Sequence, residues 1–228
     1  MAINKPAGLL VHRSHIDKYE TQNAMHLLRD QLGQWVYPVH RLDKPTSGVL
    51  LFALSEEVAR AMGEQFEQGQ IDKQYLAVVR GLISENGRID YPLTPIADFK
   101  SQQRKVSQKA AQTAITQYQP VATIELPIVV DKYPTSRYSL LKLMPQTGRK
   151  HQLRRHMKHI HHPIIGDPKY GKSKHNHFFA SHFNCPRLLL AATDLHFEHP
   201  VLGTRLALHA DIKGAFAELI KQWFVTSP

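Results

Sequence analysis

Short apolar runs separated by turn-forming residues set the tightest limit on what this chain can fold into. The longest of them, such as residues 48–54, hold a handful of residues, far fewer than the ~20 that carry a helix across a bilayer. A membrane-spanning helix is thereby excluded. Residues 49–54 form a near-continuous apolar run, the pattern of a strand buried on both faces. Residues 35–39, 75–80, 88–93, 114–118, 123–130, 138–143, 187–192 and 205–210 read as further strands, several bounded by proline or glycine. Helical periodicity occurs in three places. Ser55 is placed to cap a helix carrying Glu56 and Glu57 in its first turn and Val58, Met62 and Phe66 on one face. Leu153, Met157 and Ile160 line a second helix introduced by Gln146-Thr147-Gly148, and residues 213–224 form a third. The polar stretch up to Gln34 and the histidine-rich span up to Asn184 are assigned no regular element. Residues 98–112 carry Lys100, Arg104, Lys105 and Lys109 with almost no apolar anchor and read as a mobile loop.

Strands outnumber helices, and few strands are separated by a full helical crossover. The expected class is therefore α+β, built on a mixed, largely antiparallel sheet. No linker rich in Gly, Ser or Pro divides residues 1–228, so one domain is expected.

Charge narrows the partner. Lys and Arg number 29 against 19 Asp and Glu, a formal net charge of +10 with 15 histidines neutral. A field of that sign steers polyanions, whether RNA, DNA or an anionic membrane surface. Cys185 is the sole cysteine, so no internal disulfide forms, and the N-terminus lacks a signal-peptide pattern. A cytoplasmic location is expected.

Three segments hold side chains suited to chemistry. The first is His40-Arg41-Leu42-Asp43-Lys44-Pro45-Thr46-Ser47-Gly48, a polar loop between two strands. Cations near Asp43 favour its ionised form, which suits a nucleophile or base and not a general acid. Asp43 is equally at home as a turn residue bonded to nearby N–H groups. The second is Gly148-Arg149-Lys150-His151-Gln152-Leu153-Arg154-Arg155-His156, at a helix start where phosphate binds readily. Four cations and two histidines crowded there repel one another unless an anion, or a carboxylate such as Asp43, lies opposite. The third is Lys73-Gln74-Tyr75, opening a strand, where the tyrosine either stacks on a base or packs as an ordinary half-buried strand residue.

Taken together, these segments resemble the RluA family of pseudouridine synthases. The resemblance extends to Asn4-Lys5-Pro6-Ala7-Gly8, to Ala77, Val79 and Gly81, to His162-Pro163-Ile164-Ile165-Gly166-Asp167 with Tyr170-Gly171, and to His199-Pro200. It implies the pseudouridine synthase fold, with helices packed around a central RNA-binding cleft. It also implies a catalytic role for Asp43, which attacks C1′ of uridine or removes the C2′ proton. Arg149 is implied as the arginine that pairs with Asp43, and Tyr75 as the residue that stacks on uracil and assists proton removal at C5. Leu153 is implied to pack on the base, Arg41 to enter the space a flipped nucleotide leaves, and His40, Lys73, Lys150, Arg154 and Arg155 to hold RNA. No cofactor or metal is implied, since no electrons move and no water is activated. Residues 132–138 and the Arg149–His156 run point to a member acting on tRNA at uridine 65 of the T-stem, with 23S ribosomal RNA as the alternative. No protein partner is required. Family members usually carry a further strand before Asn4 and many carry a small S4 RNA-binding domain; neither is expected here, where only Met1-Ala2-Ile3 precede Asn4, and the start is expected to be either truncated or misannotated. Where relatives have Leu-His-Ala, this chain reads Leu190-Ala191-Ala192.

Two other classes compete. Clustering of His151, His156, His159, His161 and His162 suggests a metal-dependent RNA-processing enzyme, but carboxylates to orient the ligands are scarce there and the cysteine pair of a zinc deaminase is missing. A catalytically dead RNA-binding module needs only the basic surface; intact Asp43, Tyr75 and Arg149 argue against it.

Overall fold

The computed structural model describes residues 1–12, 20–97 and 109–225, without the side chains of residues 224 and 225. Residues 98–108 of the expected mobile loop lie outside this set. Among the described residues, nine strands join into one sheet: β1 (Ala2–Lys5), β2 (Tyr37–Pro38), β3 (Ser47–Ala53), β4 (Asp72–Arg80), β5 (Gly87–Asp90), β6 (Ile115–Leu126), β7 (Ser136–Pro145), β8 (Leu190–Glu198) and β9 (Arg205–His209). The main path runs β1-β3-β8-β4-β7-β6-β5, with β2 beside β3 and β9 beside β8. Among the described strands only the β3–β8 pairing is parallel; every other is antiparallel. The largely antiparallel α+β class expected from the element order is the one observed.

Sequence periodicity explains which faces are covered. In β4, Ala77 and Val79 point to one side and Val78 to the other. Ala77, Val79, Leu141 and Leu143 pack against Leu153 and Met157 of helix α3 (Gln152–His159). Val78, Tyr138 and Leu140 pack on the opposite side against Phe179 of α4 (Ser173–His182) and Phe216 and Leu219 of α5 (Ala215–Ile220). Two smaller clusters extend the core around β3. Leu50 and Phe52 meet Leu28 of α1 (Ala24–Leu32), and Val49 and Leu51 meet Met62 of α2 (Glu56–Glu67).

Several elements depart from expectation. Helices α1 and α4 occupy stretches to which the sequence assigned nothing. Residues 114–118 and 123–130 belong largely to one strand, β6, whose pairing with β7 shifts between Pro120 and Ala122. The closing helix ends at Ile220 and continues as a π-turn, Lys221–Val225.

Candidate active site

Asp43 sits in the loop between β2 and β3, and the chain around it is fastened at several points. Its carbonyl accepts the Thr46 N–H at 2.9 Å, and the Lys44 carbonyl accepts the Gly8 N–H at 2.8 Å. Lys5 donates to that same Lys44 carbonyl at 3.1 Å, and to the carbonyls of Pro6 at 2.9 Å and Leu9 at 2.7 Å. Lys5 is fully buried. Burial and the nearby Arg187 charge push its pKa down to about 8, against the attraction of Asp43. A buried ammonium thus ties the N-terminal turn to the Asp43 loop. Beyond the loop, β3 approaches β8 so closely that a side chain at Gly48, where φ is 114°, would overlap the Ala192 backbone.

The Asp43 side chain is 25% exposed. Arg154 Nη1 donates to its Oδ2 at 2.9 Å, and His151 Nε2 lies 3.8 Å from its Oδ1. Arg154 uses the rest of its fork on Asp167: Nε donates to Oδ2 at 2.7 Å and Nη2 to Oδ1 at 2.9 Å. Asp167 is buried and also accepts the N–H groups of Lys169 and Tyr170, at 2.9 and 3.0 Å. Burial alone would weaken both charges. For Arg154 the bonds to Asp167 and then Asp43 outweigh it and hold the pKa above its ordinary value; for Asp167 the bond from Arg154 holds the carboxyl below its usual range. The Arg154 guanidinium also lies over the Tyr170 ring, 5.2 Å from its centre.

Helix α3 delivers these groups because its start is pinned to the sheet. Buried Gln152 donates to the Ile115 carbonyl and Thr116 Oγ1, both at 3.0 Å, and its Oε1 accepts from Thr147 Oγ1 at 2.7 Å and the Arg149 N–H at 3.0 Å. Every polar position of that amide is used near the helix entry. His151 is the N-cap, in the left-handed region with φ 56°.

The opening between these elements is a cleft of about 640 Å³. Asp43, His40, Arg41, Lys73, Tyr75, Arg149, Lys150, Leu153 and Arg154 all line it, and Arg155 does not. Lys73 and Tyr75 precede Ala77 and Val79 on the same strand face, which carries them to the end of the core where the sheet opens. Burial, and then the Asp43 charge, raises the Tyr75 pKa, so the ring is present as a neutral phenol. His40 stacks on Phe66 with ring centres 4.9 Å apart, and its Nε2 accepts the Leu51 N–H at 3.0 Å. That bond requires a neutral ring, and burial together with the Lys73 charge pushes the His40 pKa down to about 4. His40 therefore shapes the wall rather than contacting phosphate as a cation. Among the described residues, no group of three or more His, Cys, Asp or Glu side chains is arranged to hold a metal ion.

A carboxylate held at one oxygen by a buried arginine, with an aromatic face and an apolar residue nearby and cations on the rim, suits attack at a sugar carbon of a polyanion. Comparison with known proteins agrees. The profile of the RNA pseudouridylate synthase family matches residues 1–159. The chain belongs to that family. It is an isomerase that makes pseudouridine. The tRNA pseudouridine synthase C of Haemophilus ducreyi is 54% identical over 223 residues, 98% of this chain and 91% of that protein. The tRNA pseudouridine synthase C of Pasteurella multocida is 52% identical over 220 residues, 96% of this chain and 90% of that protein. Among solved structures, human RNA pseudouridylate synthase domain containing 4 superposes with a TM-score of 0.71 at 25% identity, covering 97% of this chain and 88% of that one.

One expected pairing is corrected. Asp43 is bonded by Arg154, not by Arg149, whose Nε instead donates to the Thr113 carbonyl at 3.0 Å at an exposed position. The reason is helical phase. Regular turns begin at Gln152, so Arg149 lies in the preceding turn while Arg154, on the buried side, faces the Asp43 loop. Sequence reasoning assigned no role to Asp167, Tyr170 or Gln152. Their signal was the Gly166-Asp167 and Tyr170-Gly171 segment and the amide inside the basic run, but nothing in spacing indicated that they meet.

Proposed function

We propose that this chain isomerises uridine to pseudouridine in tRNA, at uridine 65 of the T-stem, in the cytoplasm, as one catalytic domain without an obligatory protein partner or cofactor. The observation that carries the reading is the Asp43 carboxylate held by Arg154 inside a basic cleft, in a chain about half identical to proteins named tRNA pseudouridine synthase C.

In this reading a uridine flipped from its stem enters the cleft. Asp43 attacks C1′ or takes the C2′ proton, and the N1–C1′ bond breaks with its electron pair leaving on uracil. Arg154 holds the carboxylate in position through the bond to Oδ2. The detached base turns between Tyr75 and Leu153 and C5 bonds to C1′, as Asp43 either leaves C1′ or returns the proton it took to C2′; the C5 proton then leaves while N1 gains one. Neutral Tyr75 stacks on the base; it removes the C5 proton only by passing on its own. Arg41, exposed on the loop beside Asp43, fills the vacated stem position. Arg149, Lys150, Lys73 and Arg155 contact phosphates.

The test is to map pseudouridine in tRNA and ribosomal RNA from cells with and without the gene, then to assay the purified protein on the tRNA transcript and its U65C variant. Loss of pseudouridine at tRNA position 65 alone, and no product from U65C, is the expected result. A site lost only from 23S ribosomal RNA refutes the tRNA assignment.

A further inference from the structure

His151 borders the Asp43 carboxylate, yet the reaction as described gives it no task. Its placement is specific. The backbone sits in the left-handed region at φ 56°, which side-chain-bearing residues seldom hold, and its side chain makes no capping bond to the helix it begins. Strain of this kind persists only where the surrounding structure fixes it. The ring is fixed from behind: Nδ1 lies 2.9 Å from the Tyr170 hydroxyl, and the Tyr170 ring meets it edge-on with centres 5.6 Å apart. Tyr170 in turn lies beneath the Arg154 guanidinium and begins in the turn that Asp167 organises. Only the Nε2 edge is left to face Asp43 and the cleft, with 17% of the side chain exposed.

Chemistry chooses the tautomer. If the Tyr170 hydroxyl donates to Nδ1, the proton resides on Nε2, the side facing the Asp43 carboxylate, and both neighbours favour that arrangement. Burial pushes the pKa down to about 4, so the ring is neutral. The 3.8 Å between Nε2 and Asp43 Oδ1 is too long for a hydrogen bond. It does let one hydroxyl oxygen lie about 2.8 Å from both, accepting from Nε2–H and donating to Oδ1. On a ribose whose C1′ is within reach of Asp43, the neighbouring hydroxyl is the one on C2′.

We propose that His151 reads the ribose 2′-hydroxyl of the target nucleotide and so makes the site selective for RNA over DNA. The inference rests on the reading above, in which a uridine lies with C1′ against Asp43. Glycosidases gain from hydrogen bonds to the equivalent hydroxyl that strengthen in the transition state, and the 2′-hydroxyl is what separates RNA from DNA at any one position. Intrinsic reactivity runs the other way. A 2′-hydroxyl withdraws electrons and disfavours positive charge at C1′, so slower turnover of a 2′-deoxy target must come from a lost contact.

The experiment pairs the wild type, His151→Ala and His151→Asn with tRNA carrying either uridine or a single 2′-deoxyuridine at the modified position, measuring tRNA affinity, thermal stability and single-turnover rate. Asn tolerates the left-handed backbone and separates side-chain loss from a disturbed helix start. The wild type is expected to convert the deoxy target about tenfold or more slowly than the ribose target. Both variants should lose a similar factor on the ribose target, little on the deoxy target, and keep tRNA affinity, so that the two rates converge. Equal wild-type rates on the two targets overturn the proposal, as does an equal slowing of both targets in the variants. Absence of pseudouridine from the ribose target with wild-type protein overturns the underlying reading, and this inference with it.

Discussion

Replacing Arg154 with alanine separates the two arginines on which the site reading turns. In the native structure Arg154, with only 5% of its side chain exposed, bonds Asp167 through two nitrogens and Asp43 through a third. Arg154→Ala leaves Asp167, fully buried, with a charge opposed only by two backbone N–H groups. Breaking a buried pair from one side costs ~3–5 kcal/mol. With a urea m-value of ~2–3 kcal/mol/M the unfolding midpoint should fall by roughly 1–2.5 M. Arg149→Ala removes one bond from an exposed side chain to a carbonyl and should stay within ~1 kcal/mol of wild type. Adding Asp167→Asn to Arg154→Ala should recover part of the lost stability, because the unpaired charge and not the missing contact dominates the cost. Urea titrations of the four proteins, with single-turnover pseudouridine formation on each, decide the matter. Arg154→Ala should lose measurable turnover; Arg149→Ala should keep most of it once RNA is saturating. If Arg149→Ala proves the more destabilising and the more inactive of the two, the pairing of Asp43 with Arg154 does not operate in solution.

The sequence reveals an element where its own side chains settle it. Ser55 accepts the Val58 N–H at 3.3 Å and Met62 is buried as the period required. Helix α1 is signalled only by its ends, Asn23 accepting the His26 N–H at 3.0 Å and Gly33 in the left-handed region, since its fully buried residues are just Ala24 and Leu28. In α4 the buried positions are Phe179 and His175, and His175 reads as polar although its Nδ1 lies 2.9 Å from the buried Tyr138 hydroxyl. Pro120 lies in the stretch that reads as a turn between two strands, since proline donates no ladder hydrogen bond; the register shift beside it lets β6 pass. The same distinction governs the site. Asp43, Tyr75 and Leu153 could be named because each lies in a recognisable segment, whereas the partner of Asp43 depended on where α3 begins, and that is set by Gln152 bonding a strand 36 residues away in sequence.

The remaining predictions concern chemistry, binding and acid stability. Asp43→Asn should fold and bind tRNA as wild type does but lose more than a thousandfold in single-turnover rate, ~4 kcal/mol of transition-state stabilisation; a smaller loss removes Asp43 as the reacting group. Affinity for tRNA should fall with salt with a log–log slope of several units, and neutralising Lys158 and Arg155 should reduce that slope by about one each; a slope near zero refutes electrostatic docking. Acid should destabilise the fold before its carboxylates titrate. Burial pushes His40, His151 and His175 each down to about 4, whereas in the unfolded chain they titrate near 6.5. Between those values the unfolded state binds more protons than the native one, so stability rises with pH through the window and is lost as pH falls from 6.5 toward 4. His209 acts in the opposite sense, since the bond its ring donates to the Asp194 carboxylate raises its pKa, but near pH 5 it is protonated in both states and contributes no slope. Burial lowers His156 and His162 in the same sense, so unfolding near pH 5 should take up at least about three protons, and His175→Gln should take up about one fewer. Urea unfolding curves at half-unit steps from pH 7 to 4.5 measure this directly. Stability that stays flat from 6.5 to 5 would mean these three rings are protonated in the native state, which the bond from the Leu51 N–H to His40 Nε2 forbids for at least one of them.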